Sequence, residues 1–172
     1  MTEQINFQKR FALQKYFANI KEALTHASTG LRDMIWVLDD SGDTITDLVK
    51  RLKMFAQPVA EASYINISFT EDPSANNITL NKTEKRNLLL IAKEAINNSI
   101  KYAECENIKV TFFKFKNKTS LTIEDDGKGF AEEKITRGNG LNNMQQRAKQ
   151  IHYRITLESQ EGNGTKITVA KK

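Results

Sequence analysis

The chain has 172 residues, 39% hydrophobic and 27% charged, which are ordinary proportions for a globular domain with a real apolar core. Its formal net charge of +5 comes from 26 Lys and Arg against 21 Asp and Glu spread along the chain, so we expect no nucleic-acid-binding surface. No apolar run could span a bilayer, no signal-peptide pattern follows Met1, and the single cysteine, Cys105, cannot form an internal disulfide, which together favour a cytoplasmic location.

Apolar residues at helical spacing come first along the chain. They step by three and four through three heptads, as in a helix that packs in a bundle: Phe17, Ile20, Leu24, Ala27, Leu31, Met34 and Leu38. The polar run at 39–42 ends this helix. A second amphipathic helix begins at Thr44, which has the spacing of a capping box with Asp47, and Pro58 leaves its end open.

Strands and helices follow in alternation. Asn81, with Glu84 three residues later, predicts the capped start of a long helix that ends near Ala103, and a further helix is predicted from Leu141 to about residue 151. The predicted strands lie at 65–69, 108–116, 119–125, 154–159 and 165–169. This order predicts an α/β protein, a two-layer α/β sandwich with one antiparallel or mixed sheet and helices on one face, preceded by a long bundle-type helix. We expect two domains, at 1–41 and 42–172.

A polar stripe interrupts the apolar pattern of the long helix. Glu94, Asn98 and Lys101 recur at i, i+4 and i+7 and are followed by Tyr102. A carboxylate to steer a hydroxyl or water, an amide oxygen to ligate a hard cation and an ammonium group to meet phosphate are what a magnesium-nucleotide site needs. For the helix alone, an ordinary solvated face is an equally good interpretation.

Two glycine-containing segments follow, Asp125-Asp126-Gly127-Lys128-Gly129 and Gly138-Asn139-Gly140-Leu141. Alternation along the strand puts Asp125 on the inner face, where its carboxylate needs a hydrogen-bond donor, and Thr165 lies on the inner face of the last strand. The glycines would allow close approach of the backbone to a ligand, and the helix that starts at Gly140-Leu141 favours an anion at its N-terminus. Taken singly, each segment is equally well read as a turn or a flexible connector.

The ordered segments 94–103, 125–130 and 138–141 resemble the N, G1 and G2 boxes of the Bergerat-fold ATPases. The glutamate that opens the first box resembles the sensor histidine kinases of the nitrate-sensor and lipid-desaturase-sensor type. The resemblance extends from about residue 31 to residue 172. It implies a Bergerat ATP-binding fold with ATP and Mg²⁺ as cofactors.

The resemblance also implies a role for each matching residue. Asn98 would ligate magnesium, Lys101 would contact phosphate, Tyr102 would pack beside the nucleotide, and Glu94 would be the catalytic residue that polarises the attacking group. Asp125 would receive the adenine amino group, and Thr165 would lie near adenine. The remaining nucleotide-binding positions would be Gly127, Gly129, Gly138, Gly140 and Leu141, with a short ATP lid at 131–137.

The implied function is that of the ATP-binding catalytic domain of a two-component sensor histidine kinase. Such a domain transfers the ATP γ-phosphoryl group to a histidine, from which it passes to an aspartate of a response regulator. The chain departs from the family because neither histidine has the expected acidic neighbour or helix: His26 lies on the second family helix, and His152 is interpreted as a helix-end residue. We therefore expect this chain to lack the phosphoacceptor helix, with the intact protein a homodimer through its bundle helices, and whether the chain is a truncation stays open.

Two other functions fit the same boxes. One is a protein-serine kinase of the anti-sigma-factor type, and the other is a catalytically silent nucleotide-binding scaffold. The heptad helix with Ile35-Trp36 favours the sensor kinase over the first, and Glu94, Asn98 and Asp125 argue against the second. The signal, the sensory domain, membrane anchoring of the intact protein and the oligomeric state of this chain stay open.

Overall fold

The computed structural model describes residues 2–39, 43–75, 78–115, 118–131 and 139–172, and it divides the chain into two compact units, Met1–Asp39 and Asp40–Lys172. The first unit is a single helix, α1 (Thr2–Leu38). This confirms the long helix at the start of the chain, which begins earlier than the heptad seam because residues 2–16 contain no Gly or Pro to break it. Within the described residues, no helix combines the length and apolar character that a membrane span requires.

The heptad seam of α1 presents apolar side chains to solvent. Each of Phe17, Ile20, Leu24, Leu31 and Met34 is more than half exposed. Single exposed apolar side chains are common on protein surfaces, but a row of them at heptad spacing is the pattern of a helix that packs against another helix.

The second unit contains a five-stranded mixed sheet in the order β1-β2-β3-β5-β4. Strands β1 and β2 are parallel and the other neighbouring pairs are antiparallel. Its elements are α2 (Ile45–Ala62), β1 (Asn66–Glu71), a 3₁₀ turn (Pro73–Ala75), α3 (Lys82–Asn98), a π-helical turn (Ser99–Ala103), β2 (Asn107–Phe115), β3 (Lys118–Asp125), α4 (Asn139–Gln150), β4 (Tyr153–Ser159) and β5 (Thr165–Lys171).

One face of this sheet forms the core together with α2, α3 and α4. The alternating strand residues Val110, Phe112, Leu121, Ile123 and Val169 are at most 2% exposed, because helices cover this face. Helix α2 contacts β1, α3 contacts β3 and α4 contacts β4. The predicted two-layer α/β sandwich is confirmed, and of the two predicted sheet types the mixed one is observed.

Both predicted capping boxes are present. The Thr44 hydroxyl accepts a hydrogen bond from the Asp47 amide, and the Asn81 side chain accepts one from the Glu84 amide at 2.9 Å, while the Glu84 carboxylate accepts the Asn81 amide at 3.1 Å. The second box fixes the start of α3, whose far end carries the polar stripe. Pro58 lies inside α2 and does not end it.

The end of the long helix differs from an ideal α-helix. Helix α3 ends at Asn98, and Ser99–Ala103 form a π-helical turn that reaches the predicted end at Ala103. Glu104 then adopts a left-handed conformation with φ 54°, which stops the helix. Such π-helical turns are frequent at functional sites because they change which side chains face one direction.

Candidate functional site

A cavity of about 640 Å³ lies in the second unit, where the end of α3, the π-helical turn, the loop after β3 and the start of α4 meet the sheet. Most of the site residues predicted from the sequence line it: Glu94, Asn98, Lys101, Tyr102, Asp125, Gly129, Gly140, Leu141 and Thr165. Gly127 packs just behind this lining, against Ala103. Gly138 and most of the predicted lid lie outside the described residues.

Asp125, at the end of β3, is 5% exposed, as its inward alternation on the strand predicts. Its Oδ1 atom accepts the backbone N–H groups of Gly127 at 3.2 Å and Thr165 at 3.1 Å, and its Oδ2 atom accepts the Ser99 hydroxyl at 2.7 Å. These three bonds offset the cost of burying the carboxylate. They hold it in one orientation at the wall of the cavity.

Asp126, the next residue, has a different environment. It is exposed, and its carboxylate accepts the backbone N–H groups of Glu106 and Asn107, each at 2.9 Å, and the Asn107 side-chain amide at 2.7 Å. The Asn107 side-chain bond is the main reason that the pKa of Asp126 lies below its usual value. Asp126 therefore ties the end of β3 to the start of β2.

A chain of hydroxyl groups lies beside Asp125 at the ends of β4 and β5. The Ser159 hydroxyl is 3.0 Å from the carbonyl oxygen of Gly164 and 3.1 Å from the Thr165 hydroxyl. It also accepts the backbone N–H of Phe130 at 3.0 Å. Phe130 and Thr165 both line the cavity, so Ser159 joins two parts of its wall.

Packing of the protein's own backbone requires glycine at two positions of the loop after β3. Gly129 has φ 57°, and a side chain there would meet the backbone of Gln160 and of Gly164. Gly127 has no room for a side chain because it lies against Ala103. From the sequence, both glycines are expected to allow close approach of a ligand. The structure shows that they also allow the loop after β3 to pack against its neighbouring segments.

Gly140, in the first turn of α4, packs directly against the Glu94 carboxylate. A side chain at this position would collide with Glu94 Oε1, and the Asn98 side-chain amide nitrogen would lie 3.7 Å away. The missing Cβ therefore lets the N-terminal end of α4 approach the two stripe residues of α3. This contact brings the predicted first and last boxes together in the lining of the cavity.

Several cavity residues were missed by the sequence analysis. Ser99 follows Asn98 directly, and only the π-helical turn together with its bond to Asp125 identifies it. Lys128 and Glu104 form an exposed ion pair of 2.7 Å at the cavity, which contributes little to stability. Cys105, which is not among the described lining residues, is buried, and this burial raises the pKa of its thiol to about 11.

His152 is not among the described residues that line the cavity. His152 occupies the turn after α4 with φ 60°, in agreement with its interpretation as a helix-end residue. His26 belongs to α1, and its side chain is outside the described part of the structure. Among the described residues there is no group of three or more His, Cys, Asp or Glu side chains that could hold a metal ion. Asn98, the magnesium ligand that the resemblance implies, lines the cavity.

Comparison with known families identifies the second unit. Residues 83–172, more than half of the chain, match the model of the histidine kinase-, DNA gyrase B-, and HSP90-like ATPase family. The chain belongs to this family. It therefore carries an ATP-binding domain of the histidine kinase-, DNA gyrase B-, and HSP90-like type, and the matched range contains all the predicted site residues.

Curated relatives of this ATPase domain are sensor proteins of bacteria. Sensor histidine kinase ComP of Bacillus subtilis is 30% identical over 94 residues, which are 53% of this chain and 12% of ComP. Sensor protein VraS of Staphylococcus haemolyticus is 35% identical over 83 residues, which are 48% of this chain and 24% of VraS. The matched parts thus span about a quarter or less of these two relatives.

A solved structure has the same fold. Histidine kinase AdeS of Acinetobacter baumannii superimposes with a TM-score of 0.69 at 19% identity, over 94% of this chain and 84% of that chain. Identity this low establishes the fold alone. The fold of this ATPase domain is therefore the one found in a histidine kinase.

Proposed function

We propose that this chain is the catalytic part of a sensor histidine kinase that binds ATP with Mg²⁺ and transfers the γ-phosphoryl group to a histidine. The observation that carries the proposal is the meeting of Glu94, Asn98 and Gly140 in the lining of a cavity that buried Asp125 also lines. The similarity to sensor histidine kinase ComP supports the same proposal.

The residues present fit a purine nucleotide at the end of the cavity near β3 and β5. Asp125 is buried, held by three donors and placed in the cavity wall, so it is suited to accept an N–H group of a base. Thr165 lies beside it on the same face of the sheet, through the Asp125–Thr165 register pair. In this proposal Tyr102, which is 66% exposed and lines the cavity, packs beside the nucleotide.

A second group of cavity-lining residues fits the phosphates and a cation. Asn98 offers an amide oxygen, exposed Lys101 offers an ammonium group, and the first turn of α4 at Gly140-Leu141 offers backbone N–H groups. A bound Mg²⁺ would neutralise phosphate charge. Glu94 lies next to Asn98 and Gly140, where its carboxylate would orient and polarise the incoming histidine nitrogen.

The proposal extends to the intact protein and its partners. The phosphoacceptor histidine would lie in a helix outside this chain, α1 would pair with it in a bundle, and the bundle would make a homodimer through the exposed seam of Phe17, Leu24 and Leu31. A response regulator would then receive the phosphoryl group on an aspartate.

Labelling with γ-labelled ATP tests this function. We expect the chain alone to show no acid-labile, alkali-stable phosphorylation, and an added protein carrying a histidine-bearing bundle helix to become labelled. Glu94→Ala should lower the labelling rate by about a hundredfold or more and change nucleotide affinity only a few-fold. Glu106→Ala, which changes an exposed carboxylate outside the cavity lining, is the matched control. Strong self-labelling that His26→Ala abolishes would overturn the proposal and identify His26 as the acceptor.

A further inference from the structure

We propose that the free edge of β4 is a docking surface for an extended acidic peptide segment of a partner protein. The segment pairs its backbone with β4 and places its carboxylates against Lys149, Arg154 and Lys172. A second cavity lies at this edge, and among the described residues it has no lining residue in common with the proposed nucleotide cavity. The inference therefore goes beyond the proposed function and does not depend on it.

One edge of the five-stranded sheet has backbone groups free for pairing. β4 is the last strand in the sheet order, and among the described strands it pairs with β5 alone. The Lys172 amide donates to the His152 carbonyl oxygen at 3.4 Å, so these two residues form a hydrogen-bonded pair that continues the β4–β5 ladder. Such pairs alternate in an antiparallel ladder, so the backbone N–H and C=O groups of Tyr153, Ile155 and Leu157 point away from β5. An added strand pairs with a row of this kind.

A cavity of about 310 Å³ lies beside this edge, between β4 and the last turns of α4. Gln145, Ala148, Tyr153 and Ile155 line it together with three cationic side chains. Ala148 and Tyr153 are at most 2% exposed and Ile155 is half-buried, so the cavity has an apolar floor. An apolar floor next to free backbone groups suits a peptide better than a small inorganic anion.

The charged residues that line this cavity are all cationic. Lys149, Arg154 and Lys172 are exposed, and within the described residues none of them forms an ion pair. Neighbouring Lys171, by contrast, bonds to the Glu84 carboxylate at 3.0 Å. Lys149 also lies in the last turn of α4, where a cation is favourable, but this role needs neither Arg154 nor Lys172. Three cations around one cavity produce a positive potential that attracts carboxylates.

A second copy of this chain uses the same edge less completely. In an antiparallel β4–β4 pair centred on Thr156, Arg154 would face the second copy's Glu158, because the two residues are equally distant from the centre. Such a pair engages one of the three cations and leaves Lys149 and Lys172 without a partner. An acidic peptide engages all three, so we commit to the peptide as the occupant.

Fluorescence anisotropy with a labelled hexapeptide of alternating glutamate and valine tests the charge part of the inference. We expect saturable binding to the whole chain that weakens as salt is added. Lys149→Gln, Arg154→Gln and Lys172→Gln should each weaken binding about two- to fivefold, and the triple variant about twentyfold or more, because each exposed ion pair contributes modestly. Lys109→Gln, which removes an exposed cation of β2 outside the cavity lining, is the matched control and should leave binding unchanged.

Backbone pairing is tested with the same peptide carrying N-methyl groups at alternate positions. This peptide keeps its charges but loses the N–H donors of one edge, so we expect it to bind about tenfold or more weakly. Hydrogen exchange measured by NMR locates the pairing. The unmethylated peptide should slow exchange of the Ile155 amide about tenfold or more and leave the Thr156 amide, which faces β5, almost unchanged.

Four results would overturn the inference. Equal binding of the methylated peptide, or of an alternating lysine–valine hexapeptide, would exclude the proposed pairing or the proposed charge preference. An equal loss in Lys109→Gln and Lys149→Gln would show that the peptide responds only to overall charge. Concentration-dependent protection of the Ile155 amide without peptide would make a second copy the occupant, and tighter binding of a thymidine oligonucleotide would make it a nucleic acid.

Discussion

Asp125 and Asp126 are adjacent carboxylates with different environments and, we propose, different functions. Asp125 is buried at the cavity wall, whereas Asp126 is exposed and holds the start of β2. Asp125→Asn should weaken ADP binding by about tenfold or more, because the amide group cannot replace the carboxylate as acceptor toward Ser99, two backbone amides and the base together. Asp126→Asn should leave ADP affinity within about twofold, as measured by calorimetric titration. Equal affinity losses in the two variants would contradict these separate roles.

The environment of Asp126 also predicts how the stability of the chain depends on pH. The pKa of Asp126 in the folded state is depressed, chiefly by the hydrogen bond from the Asn107 side chain. The stability that Asp126 contributes is therefore present at pH values above its unfolded-state pKa, and it is lost as the pH falls through its folded-state pKa. We therefore expect urea unfolding of the unmodified chain to show falling stability below about pH 4. In Asp126→Asn this part of the acid dependence should be smaller. An identical pH profile would show that Asp126 does not contribute.

We expect two glycines of the site to have different roles: Gly129 in the stability of the fold and Gly140 in phosphoryl transfer. Gly129→Ala should destabilise the second unit by about 2 kcal/mol or more, because a side chain at φ 57° would meet the backbone of two segments.

Gly140→Ala should lower the free energy of unfolding by less than about 1 kcal/mol, because the added methyl group meets the movable end of Glu94. The same variant should slow phosphoryl transfer, because the methyl group displaces the Glu94 carboxylate. Gly30→Ala, in open space on α1, is the control for both. Unfolding curves and labelling rates measure the two effects, and a fully active Gly140→Ala variant would contradict the role of Glu94.

At the level of elements, local signals in the sequence predicted where most helices and strands begin. Both capping boxes are visible as Thr44 with Asp47 and Asn81 with Glu84, and strand alternation placed Asp125 on the inner face. The π-helical turn at Ser99–Ala103 has no local signal of this kind in the sequence, and its Ser99 hydroxyl bonds to Asp125, which lies 26 residues further along the chain. The contact between Gly140 and Glu94 also joins distant segments, so only the folded chain reveals it.

The capping box of α3 predicts how much stability is lost when the N-cap of a single helix is removed. Asn81→Ala should destabilise the second unit by about 1 kcal/mol, because the first turn of α3 loses the acceptor for the Glu84 amide. Asn81→Ser keeps an oxygen at that position and should retain most of the stability. Urea unfolding monitored by circular dichroism measures both. If Asn81→Ala and Asn81→Ser lower the free energy of unfolding equally, the lost hydrogen-bond acceptor of the cap is not the cause of the destabilisation.

At the scale of the whole molecule, the two units have separate proposed tasks. Helix α1 exposes an apolar seam suited to a helical partner, while the second unit contains the cavity and all of the matched family range. We propose that two cavity residues have different tasks: Asp125 recognises the base, and Asn98 ligates a cation bound to the phosphates.

Titration of a non-hydrolysable ATP analogue in Mg²⁺ and again in a metal chelator tests this central claim most directly. The unmodified chain should bind close to one analogue per chain, and more tightly with Mg²⁺. Asn98→Ala should weaken binding by about tenfold or more in Mg²⁺ and only slightly without it, because the amide oxygen is needed only when the cation is bound. Equal losses with and without Mg²⁺, or no saturable binding by the unmodified chain, would contradict the account.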